Sequence, residues 1–196
     1  MNEQEQYWKD NDAYHQRSPG DEESNYHFFR KALTCADLRW NCSILELGCG
    51  TGANLRALQN CFSSPQLTGV ELNAEALAKA PTEARKVHAS VLDWKPDDEW
   101  DMVLTKGLLI HIAPEDLPKA YKTIVDAASR YLLVCEYFCP TPRMIPYRGE
   151  NDRLWARDFA GELIDQHGLA LVDYGFTYIR DQHPQDNVSW FLMEKP

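Results

Sequence analysis

The chain has 196 residues, 44% hydrophobic and 26% charged, which suits one globular unit with its own core. Its formal net charge of −10 repels phosphate backbones and anionic bilayers, so neither nucleic acid nor a membrane is an expected partner. No apolar run approaches the roughly 20 residues that cross a bilayer, and the acidic opening Met1-Asn-Glu-Gln-Glu-Gln6 is the reverse of a secretory leader.

Residues 1–20 are polar with interspersed Tyr7, Trp8 and Tyr14 and end on Ser18-Pro19-Gly20, which predicts a short helical arm and a turn. Residues 1–40 are read as an N-terminal arm and 41–196 as an α/β core, together one domain. Phe28, Phe29, Ala32, Leu33 and Ala36 recur at helical spacing within 24–38. From Ser43 onward strands alternate with helices. Strands are predicted over Ile44–Leu47, Leu67–Glu71, Lys86–Ala89, Asp101–Thr105 and Tyr131–Glu136. Helices are predicted over Ala53–Asn60, Ala74–Lys79, Pro114–Ala128 with proline in the first turn, and Ala156–Gln166 ending at Gly168. Leu169–Ile179 and Val188–Glu194 are β-rich with no helix between them, so they should pair as an antiparallel hairpin. Cys35, Cys42, Cys49, Cys61, Cys135 and Cys139 follow neither a disulfide framework nor zinc spacing. They are read as reduced packing residues, with cytoplasm as the expected compartment and no metal expected.

The first strand breaks into Gly48-Cys-Gly50-Thr-Gly52, and Glu71 closes the next strand about 20 positions on. Alternating glycines let a ligand lie against main-chain N–H groups, and a carboxylate at that distance suits ribose hydroxyls. A nicotinamide-dependent dehydrogenase is the rival, because Gly48-x-Gly50-x-x-Ala53 also meets a relaxed dinucleotide fingerprint. Against it stand Glu46, whose charge would repel a pyrophosphate, the terminal hairpin, and the lack of a second mononucleotide-binding half.

Glu46-Leu-Gly48-Cys-Gly50-Thr-Gly52, Glu71, Ser90-Val91 and Trp100-Asp101 together resemble the class I S-adenosylmethionine (SAM)-dependent methyltransferases. A narrower set of strings resembles the pseudaminic acid biosynthesis-associated methylase family. It comprises Thr105-Lys-Gly-Leu-Leu-Ile-His111-Ile, Glu136-Tyr137, Ile145-Pro-Tyr-Arg-Gly149, Asp152-Arg153-Leu154, Arg157-Asp-Phe-Ala-Gly-Glu-Leu163 and Val172-Asp-Tyr-Gly-Phe176. The resemblance implies a Rossmann-like, seven-stranded, mostly parallel sheet and SAM as cofactor. It implies Gly48, Gly50 and Gly52 around the methionine portion with Glu46 near its ammonium, and Glu71 on the ribose. Leu72, Ser90 and Val91 would then meet adenine, although Ser90 departs from the aspartate often found there. Tyr14 and Arg17 would belong to a lid.

Thr105, Lys106 and Glu136 fall at the carboxyl edge of the strands, where ligands of open α/β sheets collect. His111 is the candidate general base, its ordinary pKa lying near neutrality; a histidine packed in an apolar run is the alternative. Tyr137–Arg153 holds three prolines and is long for a strand–helix link. Its Tyr137, Arg143, Tyr147, Arg148 and Arg153 are candidate substrate residues, because guanidinium grips carboxylate or phosphate by two bonds. The alternative pairs these arginines with Glu150, Asp152 and Asp158. The expected acceptor is a small anionic metabolite, such as an acidic sugar or its nucleotide-linked form. A peptide methyltransferase or a non-catalytic cofactor-binding module stays open.

Overall fold

The computed structural model describes residues 3–10 and 21–196; Tyr14 and Arg17 lie outside the described residues. Helix α1 spans Glu3–Asp10. Helix α2 spans Glu22–Ala32, capped by the Asp21 side chain, which accepts the Ser24 N–H. The core then alternates β1 (Ser43–Leu47), α3 (Ala53–Cys61), β2 (Gln66–Glu71), α4 (Ala74–Ala78), β3 (Arg85–His88), β4 (Trp100–Lys106), α5 (Leu117–Ala127) and β5 (Ala128–Glu136). It closes with β6 (Arg143–Met144), β7 (Trp155–Ala156), α6 (Phe159–His167), β8 (Ala170–Phe176) and β9 (Ser189–Glu194).

Seven strands form one sheet in the order β3-β2-β1-β4-β5-β9-β8, and β6 pairs with β7 apart from it. The first five strands are parallel, while β9 runs antiparallel between β5 and β8. The expected Rossmann-like α/β sheet with a terminal antiparallel hairpin is therefore present. Adjacent residues feed opposite cores. Ile44, Met102, Leu104 and Leu133 meet Phe29, Leu55 and Leu58 of α2 and α3. Leu45, Val103, Leu132 and Val134 meet Tyr121, Ile124 and Leu163 of α5 and α6. Coverage on both faces is why these strands read as unbroken apolar runs. The chain winds outward from β1 to β3 and returns to β4 on the other side of β1. This reversal opens a crevice at the carboxyl ends of β1 and β4.

Three helix boundaries differ from the sequence expectation by three residues or more. Helix α2 stops at Ala32, with Leu33 as its C-cap. Helix α5 starts at Leu117 with Pro118 in its first turn, because residues 113–116 form a separate turn closed by the Asp116 N–H on the Ala113 carbonyl. Helix α6 starts at Phe159, because Trp155 and Ala156 are drawn into pairing with Met144 and Arg143.

Candidate active site

After β1 the backbone turns through Gly48, Gly50 and Gly52, with φ of 71°, 53° and 78°. A Cβ on Gly48 would lie 2.8 Å from Leu108 Cδ1, so the loop after β4 also requires glycine there. Glu71 is buried, and its carboxylate accepts the Gly50 N–H and the Asn73 N–H, each at 2.8 Å. Glu71 therefore braces the glycine turn, and each oxygen keeps a lone pair for a further donor. Glu46 is also buried. One of its oxygens accepts Asn54 Nδ2–H at 2.6 Å, while the other has no hydrogen-bond partner. Burial pushes its pKa up to about 8 against the opposing pull of Asn54 and Lys106. Lys106 donates to Asn25 Oδ1 at 3.2 Å, and burial lowers its pKa.

Across the crevice, β4 leads into a single 3₁₀ turn at Leu109–His111. Glu136, at the end of β5, accepts the N–H groups of Leu108 and Leu109 at 3.1 Å and of Ile110 at 3.3 Å. Burial pushes its pKa up to about 7, while those backbone donors oppose the shift. The turn it caps presents His111. The His111 Nδ1 lies 2.9 Å from the Arg153 carbonyl. A carbonyl can only accept, so Nδ1 carries the proton and Nε2 keeps its lone pair. Burial lowers the imidazole pKa to about 4, so the ring is neutral at pH 7. Trp8 and Tyr147 flank it at 4.1 and 5.2 Å between ring centres.

The segment after β5 is a hairpin flap closed by β6 and β7. At its tip Tyr147 and Glu150 exchange two backbone hydrogen bonds of 2.9 Å, with Arg148 at φ 52° and Gly149 at φ 85°. Two consecutive left-handed residues define a type I′ turn. It holds the Arg148 guanidinium 5.2 Å from the Tyr147 ring. Arg153 turns the other way. It donates to Gln4 Oε1 at 2.6 Å, lies 3.4 Å from Glu3 Oε1 and sits 5.1 Å over the Tyr7 ring. Its partners are thus in α1, not at Glu150, Asp152 or Asp158. Arg143 is exposed on β6, outside the lining of the cavities described next.

Two cavities meet at the crevice. The smaller, about 80 Å³, is lined by Glu71, Leu72, Ser90 and Val91 and roofed by Gln4, Glu5 and Trp8 of α1. The larger, about 660 Å³, runs from Glu46, Gly50 and Lys106 to Tyr137, Tyr147 and Arg148. Gly48, Gly107 and His111 line both. A Cβ on Gly107 would meet nothing within 4 Å, so the absent side chain leaves room at the junction. Gly52 instead caps α3. Thr105 is fully buried, in register with Leu47 and Val134, and lines neither cavity.

Sequence reasoning missed Gln4, Glu5 and Asn54 as site residues. Asn54 lies in the first turn of the helix that the glycine loop opens, and that position was a usable signal. Nothing in the sequence places Gln4 or Glu5. A recess of about 810 Å³ at the opposite edge includes Ser43, Gln66, Arg85 and Trp100, at the amino ends of four strands. That edge lacks the crevice formed by the chain reversal. Among the described residues, Glu23, His27 and His183 bring potential metal-ligand atoms within 4.8 Å of one another. The two imidazoles stack at 3.6 Å with 15° between planes, so their lone pairs run side by side instead of converging on one point.

Residues 44–129 match the family model described as a methyltransferase domain. No curated protein matches the chain by sequence. Magnesium protoporphyrin IX methyltransferase from Synechocystis PCC 6803, solved with bound SAM, shares the fold at a TM-score of 0.73 and 11% identity, over 100% of this chain and 99% of that one. A SAM-dependent methyltransferase from Clostridium acetobutylicum ATCC 824 superposes at 0.65 and 12% identity, over 89% of this chain and 92% of its own. The 1,6-didemethyltoxoflavin-N1-methyltransferase of Burkholderia thailandensis, solved with 1,6-didemethyltoxoflavin and S-adenosylhomocysteine, gives 0.67 and 15%, covering 89% and 79%. No helix among the described residues is long and apolar enough to cross a membrane.

Proposed function

We propose that this chain is a class I SAM-dependent methyltransferase that transfers the methyl group to a small anionic metabolite, an acidic sugar or its nucleotide-linked form, in the cytoplasm; the methyltransferase-domain match over residues 44–129 supports the reaction class. The observation carrying this reading is the larger cavity, which the glycine loop and Glu46 line together with Tyr147 and Arg148. Its volume is that of a small-molecule site. The resemblance of the second-half strings to the pseudaminic acid-associated family supports the sugar class.

When bound, SAM supplies a methyl carbon activated for in-line attack by its positively charged sulfur. The chain's residues fit it. The unpartnered Glu46 oxygen suits the ammonium of the methionine portion, the spare lone pairs of Glu71 suit ribose hydroxyls, and Leu72 and Val91 offer apolar surface to the base. Arg148 holds the acceptor's carboxylate or phosphate. His111 Nε2 takes the proton from an attacking hydroxyl, and the acceptor's negative charge raises the basicity of the ring from its low value. A carboxylate acceptor needs no such base. Orientation in a closed site lowers the barrier by roughly 7–11 kcal/mol.

Arg148→Gly tests the anion reading. Glycine relieves a left-handed residue, worth about 1 kcal/mol, so the fold is retained. Labelled methyl incorporation into matched acidic and amide acceptors should favour the acid in the wild type. In the variant, KM for the acid should rise about 10- to 100-fold with unaltered cofactor affinity. An acid preference that survives the substitution removes Arg148 from substrate capture.

Glu46 makes cofactor binding pH-dependent. Its folded pKa of about 8 lies above the ordinary 4.5, so the empty fold holds a proton there that the unfolded chain releases. The contribution of this group to stability is full below 4.5 and is lost as pH rises through about 8. The ionised form pairs with the ammonium, so S-adenosylhomocysteine affinity should climb with pH and level off above about 8. Binding at pH 7 should release a proton, measured as heat that varies with buffer ionisation enthalpy. Both effects should vanish in Glu46→Gln; a flat profile in the wild type excludes the pairing.

A further inference from the structure

Three carboxylates line the smaller cavity: Glu71 from the core strands, Asp116 from the turn before α5, where it pairs with Lys119 at 2.9 Å, and Glu5 from helix α1. Glu5 is buried against the rim and accepts a short hydrogen bond from the Ser90 hydroxyl. Ser90 Oγ in turn accepts the Leu92 N–H at 3.1 Å, which fixes the direction of its single proton toward Glu5. Leu72, Ala89 and Val91 give the same cavity apolar walls. Glu5 and Glu71 both line this cavity, so a nucleoside whose sugar met Glu71 would have Glu5 as a carboxylate available to its base.

We propose that Glu5 reads the exocyclic amino group of the cofactor's adenine, so that α1 is at once roof and base-selecting element. This rests on the cofactor placement given above. A carboxylate has only acceptors, so it takes an amino N–H and opposes a base that carries a carbonyl at that edge. Ser90 is the weaker acceptor, because its oxygen is uncharged and one of its two lone pairs already takes the Leu92 N–H. The helix is also anchored to the reacting end. Gln4 Nε2–H donates to the His111 carbonyl at 2.9 Å, and its Oε1 accepts from Arg153 at 2.6 Å. The same helix packs Trp8 against His111, with ring centres 4.1 Å apart, so the element proposed to read the base also walls the cavity junction at His111.

Calorimetry on the full chain with S-adenosylhomocysteine and its deaminated analogue, S-inosylhomocysteine, tests the assignment. The wild type should prefer the adenosyl compound by about 10- to 100-fold, the range for a hydrogen bond to a charged group. Glu5→Ala should reduce that preference to near unity. Glu5→Gln should do so while keeping affinity for the inosyl compound, because its amide can donate to a carbonyl. Gln4→Ala, which loosens α1 without touching the base, should weaken both compounds alike and leave their ratio unchanged. A ratio that persists in both Glu5 variants overturns the proposal and leaves Glu5 as a latch on Ser90. Wild-type binding of neither compound overturns the cofactor placement itself, a result separable from the first.

Discussion

Glu71→Ala should weaken S-adenosylhomocysteine binding by at least about 100-fold in a calorimetric titration. Two losses combine. The carboxylate contacts to ribose disappear, and the Gly50 and Asn73 N–H groups lose the oxygens they now reach at 2.8 Å. The second loss loosens the glycine turn, so the alanine variant alone would mix ligand binding with loop order. An analogue lacking the 2′-hydroxyl separates them. It should bind the wild type more weakly than the parent compound, and Glu71→Ala should bind the two equally, since their difference resides in a bond the variant cannot make. Glu71→Gln keeps one acceptor oxygen and turns an amide against the other backbone donor, so its affinity should fall between the two. Wild-type affinity in the alanine variant would refute the ribose assignment outright.

His111→Asn should lower kcat by about 100- to 1000-fold on a hydroxyl acceptor while changing cofactor affinity little. Asparagine is the informative replacement. Its side-chain N–H can occupy the place of Nδ1–H and keep the bond to the Arg153 carbonyl, and it has no atom where Nε2 stands. A loss of turnover with an intact tether therefore reports on proton transfer, not on a displaced flap. The pH profile supplies the second readout. Burial pulls the imidazole down to about 4, so protonation of the ring should form the acidic limb of kcat, and that limb should disappear in the variant. If asparagine supports near-normal turnover, the acceptor needs no base and His111 serves to pack Trp8 and Tyr147.

The elements that build the candidate site were legible because their signals are local. Apolar runs of four to six residues punctuated by Gly48-Cys-Gly50-Thr-Gly52 give the strand and the turn directly, and β1 and β2 end where the runs end. The boundaries misread were those settled by distant partners. Ala156 fits a helical pattern, yet pairing with Arg143 makes it a strand. Three arginines in one segment looked equivalent in sequence, yet a type I′ turn aims Arg148 at the cavity while Gln4 and Glu3 draw Arg153 away. Glu5 carried no signal, because its partner Ser90 lies 85 positions along the chain.

By itself the sequence determined the alternation of strands and helices, the sharp turn after β1 and the carboxylate that follows it. Periodicity and glycine act within a few residues, and a parallel sheet converts them into one architecture. Only the tertiary structure decided which polar groups face the crevice. Burial can turn Glu46, Glu136 and His111 into groups whose charge depends on their surroundings, and those surroundings assemble only when α1, the turn after β4 and the flap close on one another.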